Sequence, residues 1–184
     1  MENTPANEQQ ETRLNNMVGL VVLLLSVVMA FGKIKDDNIV QSIQQSKIQA
    51  VDTWNEYQAK KLKLHLAENN ILLLKSLPQT GHTRGSIATL EKEVARYTKE
   101  AAGLQEAARG HERKAEELNI RDDQLDLAEA LLSIAIALAG ITAITRQRWM
   151  LLTSAGTGTC GLAFTVAAFA GWDWHPEVLI RFLT

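Results

Sequence analysis

Residues 87–125 read IATLEKEVARYTKEAAGLQEAARGHERKAEELNIRDDQL. Ile87, Leu90, Val94, Tyr97, Ala101, Leu104, Ala108, His111, Ala115, Leu118, Asp122 and Leu125 follow one another at spacings that alternate three and four without a slip. A mostly apolar or small seam sustained this long predicts a coiled coil. A looser version lies upstream, in Val40, Ile43, Ala50, Val51, Trp54, Tyr57, Leu62, Leu64 and Ile71. Between them Pro78, Gly81 and Gly85 break helices, and Ser86 is a good N-cap. The expectation for 33–125 is an antiparallel helical hairpin with its tip at 78–86. Each arm would extend about 60 Å at about 1.5 Å per residue. Pairing about His82 sets Trp54 opposite Gly110 and His111, Tyr57 opposite Ala107 and Ala108, and Tyr97 opposite Ala67. Large residues then meet small ones, which fills a narrow core. Gly103, Ala107 and Gly110 make a small ridge beside the seam. Glycine inside a helix costs about 1 kcal/mol against alanine, so the ridge suggests close approach of another helix.

Outward from the hairpin the composition changes. Residues 17–32, 126–145 and 149–171 are apolar enough for lipid. The first is short, but Arg13, Lys33 and Lys35 can snorkel outward. Residues 19–30 also resemble a signal-peptide core, yet an acidic stretch precedes them where positive charge belongs, so a retained anchor is expected. The third segment is bracketed by Trp149 and by Trp172 and Trp174, as interfacial belts would be. The turn at Arg146-Gln147-Arg148 is so short that the second and third segments must be antiparallel neighbours. Small residues permit close approach in lipid. Ser133, Ala137 and Gly140 are therefore expected to meet Gly156, Thr157, Cys160 and Gly161. Residues 1–16 read as a disordered tail, and 172–184 as an interfacial segment. The fold class is all-α, three transmembrane helices with the hairpin inserted between the first and second.

Net charge is −2, which argues against nucleic acid as a partner. The lone Cys160 permits no intrachain disulfide. No nucleophile, base and orienting group converge, so no enzyme is expected, and no residue set calls for a cofactor. His65 and His111 should lie far apart, so no metal pair is expected. Glu129 is the one ionisable residue near lipid depth. Intramembrane carboxylates are functional candidates, although the start of a membrane helix also tolerates negative charge. The topology signals conflict. Arg13, Arg146 and Arg148 place the hairpin outside the cytoplasm, while Lys33, Lys35 and Arg121 vote the other way. The short loop counts most, so an extracytoplasmic hairpin is favoured.

The stretch Trp54-Asn55-Glu56-Tyr57-Gln58-Ala59-Lys60 resembles the W-x-x-Y-Q-A-K signature of an uncharacterised bacterial membrane family, domain of unknown function 4337. Ile134–Trp149 resembles that family's second span and its basic turn. The resemblance implies a bacterial inner-membrane protein with a coiled-coil insert, and brings no activity. It also makes Trp54, Asn55, Tyr57, Gln58 and Lys60 a candidate contact surface, beside Gly103, Ala107 and Gly110.

The expected role is a non-enzymatic structural or accessory subunit. Its partners would be the lipid bilayer and either further copies of itself or a larger membrane complex. The alternatives are an oligomeric signal transducer and a pore or transport component.

Overall fold

A computed structural model of the protein describes residues 5–172. Three helices account for nearly all of them: α1 (Pro5–Lys75), α2 (Gly81–Thr145) and α3 (Arg148–Ala170), with no strand among the described residues. The expected all-α class is observed. Its boundaries differ at two places. α1 reaches back to Pro5, so much of the expected disordered tail is helical. Pro5 suits a first helical turn, and Leu14 and Val18 bury themselves. α2 begins at Gly81, not after Ser86. Thr80 caps it first, its Oγ1 accepting the Thr83 backbone N–H at 3.2 Å. Gly85, one weak helix former, does not stop it. The interfacial segment expected at 172–184 lies almost wholly outside the described residues.

The end of α1 is closed by side chains. Ser76 Oγ donates to Leu73 O at 2.7 Å, and Gln79 Nε2 to Leu74 O at 3.1 Å and Leu77 O at 2.9 Å. These satisfy carbonyls that a helix terminus leaves open. Arg146 turns the chain between α2 and α3 with φ 58°. Gly171 closes α3 in the left-handed region at φ 70°, where a Cβ would be strained.

The chain divides into two compact units, one from 1–41 and 117–184 and the other from 42–116. In the second unit, Trp54 contacts Glu112, Lys60 contacts Glu100, and Lys75 lies 3.9 Å from Glu91. Numbers rise on α1 as they fall on α2, so the two pieces run antiparallel. Across both units, every seam position from Ile87 to Leu125 is buried or half-buried, and Ala108 is fully so.

In the first unit, Leu25, Leu132 and Ala135 form a core with Val21, Val28, Met29, Ile136 and Leu162 against it. Leu127, Ala128 and Phe164 form another. The opposite surfaces are apolar too: Leu20, Leu23, Leu24 and Phe31 on α1, Ile134 and Ile144 on α2, Leu152 and Phe169 on α3 are exposed. Only 11% of the most apolar window of α1 is buried within the chain. Water does not support so much contiguous apolar surface. All three helices are long and apolar enough to cross a membrane, consistent with a membrane protein.

Candidate functional site

α1 and α2 leave their apolar stretches side by side, and carboxylates gather there. Asp36 is 4% exposed. One ligand oxygen each from Asp36, Asp126 and Glu129 lie within 4.8 Å of one another. Lys33 supplies the nearby cation, its Nζ 2.9 Å from Asp36 Oδ2, 3.7 Å from Glu129 and 3.8 Å from Asp37. The hydrogen bond to Asp36 foremost, and then these negative charges, hold the Lys33 ammonium well above the usual lysine range. Asp122 joins the group from α2. Burial, then its contact with Asp36 and the surrounding carboxylates, push its carboxyl up to about 7. Asp36 Oδ1 and Asp122 Oδ1 are buried and accept no hydrogen bond.

The second unit offers a different surface. Trp54, Tyr57 and Lys60 are half-buried, while Asn55 and Gln58 are exposed. The signature is thus split between two faces of α1. Trp54 Nε1 donates to Glu112 Oε1 at 2.8 Å, and its ring meets Tyr57 edge-on at 5.3 Å. The Lys60 ammonium bonds Glu100 and lies 5.7 Å from the Tyr97 ring. Gly103 and Ala107 are exposed, and a Cβ added at Gly103 or Gly110 would meet nothing within 4 Å. No helix of this chain approaches that ridge among the described residues.

Ile48, Val51, Leu62, Leu66 and Leu73 on α1 are between 54% and 64% exposed. At about 100° per residue they share a sector of about 60°, with Asn55 and Asn69 among them. The sector lies opposite the buried Ile43, Ser46, Ala50, Leu64, Ala67 and Ile71. α1 therefore has a second apolar face that this chain does not cover.

Of the expected ridge between α2 and α3, only Gly161 lies at the contact. A Cβ there would come 2.9 Å from Leu132 Cγ and 3.2 Å from Ala128 O. Ser133, Ala137, Gly140, Gly156 and Cys160 are exposed, which corrects the sequence reading. The contact face is turned one position around each helix. It uses Ala128, Leu132, Ala135 and Ala139 on α2, and Ser154, Gly158, Gly161 and Ala168 on α3, all buried. The pattern of small residues alone did not separate the two faces, because both carry them. Ser154 Oγ donates across to Ala135 O at 2.6 Å. Thr157 and Thr159 bond back to their own helix, at Thr153 O and Ala155 O.

The family model described as Domain of unknown function (DUF4337) matches residues 14–171. The chain belongs to this family. The DUF4337 match takes in α2 and α3 whole, α1 from Leu14 onward, the carboxylate group and both faces of the hairpin. No curated protein and no solved structure matches the chain.

For this DUF4337 chain, sequence reasoning singled out Glu129 but missed its companions. Asp36 and Asp126 are far apart in sequence. A signal was available: the pairing about His82 that sets Trp54 opposite Gly110 also sets Asp36 opposite Ala128.

Proposed function

We propose that the chain is a non-enzymatic membrane scaffold, anchored by three spans. Its coiled-coil hairpin associates side by side with hairpins of further copies through the outer face of α1. The observation that carries this is the stripe Ile48, Val51, Leu62, Leu66 and Leu73, exposed opposite the buried seam. Two helices bury little by themselves, and a long apolar stripe outside the spans wants cover.

A second copy fits it best. Membrane anchors hold copies parallel. In a parallel pair, a position before the stripe on one helix meets the position five residues later on the next. Lys47 of one copy then meets Asp52 of the next, opposite charges that have no ion-pair partner within the described chain. Asn55 and Asn69 interrupt the stripe, both exposed and both at its three-four spacing, and Asn in such a seam fixes register by bonding its own counterpart. The short basic loop argues that the hairpin stands on the side away from Arg146 and Arg148. Docking onto a different membrane protein through the same stripe is the competing outcome.

The test replaces Cys160 with alanine and places single cysteines at Val51, Leu62 or Ala107 in native membranes. Oxidative crosslinking should give dimers at Val51 and Leu62 and little at Ala107. Monomers at all three positions, or dimers at Ala107 alone, would overturn the proposal.

A further inference from the structure

Four carboxylates, Asp36, Asp122, Asp126 and Glu129, converge where α1 and α2 leave their apolar stretches, with Lys33 among them. Repulsion alone would splay such a group unless positive charge is supplied. Lys33 supplies part of it, bonding Asp36 Oδ2 at 2.9 Å. The other oxygen, Asp36 Oδ1, is left without a hydrogen bond on a side chain 5% exposed. A buried carboxylate oxygen without a partner is costly and calls for a ligand. A single proton can bridge one carboxyl pair, Asp36 with Asp122, but leaves Asp126 and Glu129 to share the one ammonium of Lys33, which Glu129 meets at 3.7 Å. A cavity of about 10 Å³ lies beside Asp36, Lys33 and Glu129, closed on its other sides mainly by apolar residues such as Met29, Leu125 and Leu132, and Asp126 is not in its lining. That is room for about one water-sized particle.

The geometry points to a binding site for a hard divalent cation, Ca²⁺ or Mg²⁺, held by Asp36, Asp126 and Glu129. The donors are all oxygen, the set that such ions prefer over softer metals. Oxygens about 2.3–2.6 Å from a Ca²⁺ ion lie up to about 5 Å from one another, and these three lie within 4.8 Å. Asp126 is exposed, which leaves one side open for water ligands. Lys33, its side chain 51% exposed, has room to swing away as the cation enters. The ion then ties α1 to the start of the apolar part of α2 where lipid gives way to water. This site stands independently of the association of hairpins.

The test uses the full chain in nanodiscs of zwitterionic lipid, stripped with EDTA, at pH 7.5 and 0.1 M KCl. Ca²⁺ or Mg²⁺ is titrated by calorimetry, with thermal unfolding in parallel. The expected result is saturable binding of one ion per chain and a raised unfolding midpoint. Asp36→Asn and Asp126→Asn should weaken binding at least tenfold, and Glu56→Gln, exposed and in the other unit, should leave it unchanged. Lys33→Met removes the competing ammonium and should tighten binding, a gain that misfolding does not mimic. No saturable binding to the wild-type chain would overturn the site, and so would equal binding by Asp36→Asn or weaker binding by Lys33→Met. A midpoint that follows pH but ignores both ions would assign the group to a proton alone and reject the cation.

Discussion

Gly161→Ala in α3 should destabilise the packing of α3 on α2, while Gly156→Ala should not. The added methyl at 161 would stand 2.9 Å from Leu132 Cγ and 3.2 Å from the Ala128 carbonyl oxygen. Neither neighbour gives way easily. Leu132 is 1% exposed and the close atom is its branch point, not a free end. The oxygen is backbone. The helices must part by some tenths of an ångström along a close contact, and overpacking of that kind costs about 1–3 kcal/mol. Alanine also returns about 0.5–1 kcal/mol of helix propensity, so the net loss is about 1 kcal/mol. At Gly156 a methyl meets nothing within 4 Å, so the propensity gain stands alone. The difference between the two variants cancels propensity and isolates the steric cost, about 1–3 kcal/mol. Reversible unfolding in mixed micelles, followed by helicity and fluorescence, measures it. Two variants within about 0.3 kcal/mol of each other would refute the proposed contact face between α2 and α3. Gly161→Val should widen the gap.

With EDTA present, stability should fall as pH rises from about 4 to about 7. The Asp122 carboxyl is raised from 3.8 to about 7 in the folded chain, so within that window the folded state holds a proton that the unfolded state has lost. Unfolding titrations at pH 4.5 and 8 should show the difference, and Asp122→Asn should shrink it. Ser154→Ala removes a hydrogen bond from α3 to the Ala135 carbonyl, and should cost about 0.6 kcal/mol, with about 1.7 as a ceiling, in the same micelle assay. Asn55→Leu combined with Asn69→Leu should strengthen association between copies but broaden the size distribution in mild detergent, because the residues that fix register are gone. A single sharp species would count against a register role for Asn55 and Asn69.

The helical class and the buried side of α2 are legible because one signal persists. An unbroken three-four spacing from Ile87 to Leu125 leaves few alternatives, and each of those positions is buried or half-buried. Helix ends were read less well. Thr80 competes with Ser86 as a cap by a hydrogen bond that only coordinates reveal. The short N-terminal polar stretch looked disordered because Leu14 and Val18 gain their burial from tertiary packing. Small residues misled at the span contact for a related reason. α3 carries Gly156, Gly158 and Gly161 within two turns, and composition does not say which side meets a neighbour. The carboxylate group was hidden by distance along the chain. Asp36 looks like a solvated charge until the antiparallel register places it beside Asp126 and Glu129. The outer stripe on α1 was half seen: Val51 and Leu62 were counted with the seam, whereas they point away from it and mark a second face.

The proposal tested most directly is that the chain crosses a bilayer three times, with 33–125 and the turn at 146–148 on opposite sides. Single cysteines at Gly85 and at Gln147, in a Cys160→Ala background, can be labelled with a membrane-impermeant maleimide in sealed vesicles of known orientation. The account predicts that the two positions react from opposite sides, with Gln147 cytoplasmic. Reaction of both from one side, or protection of Gly85 from both sides, would contradict it.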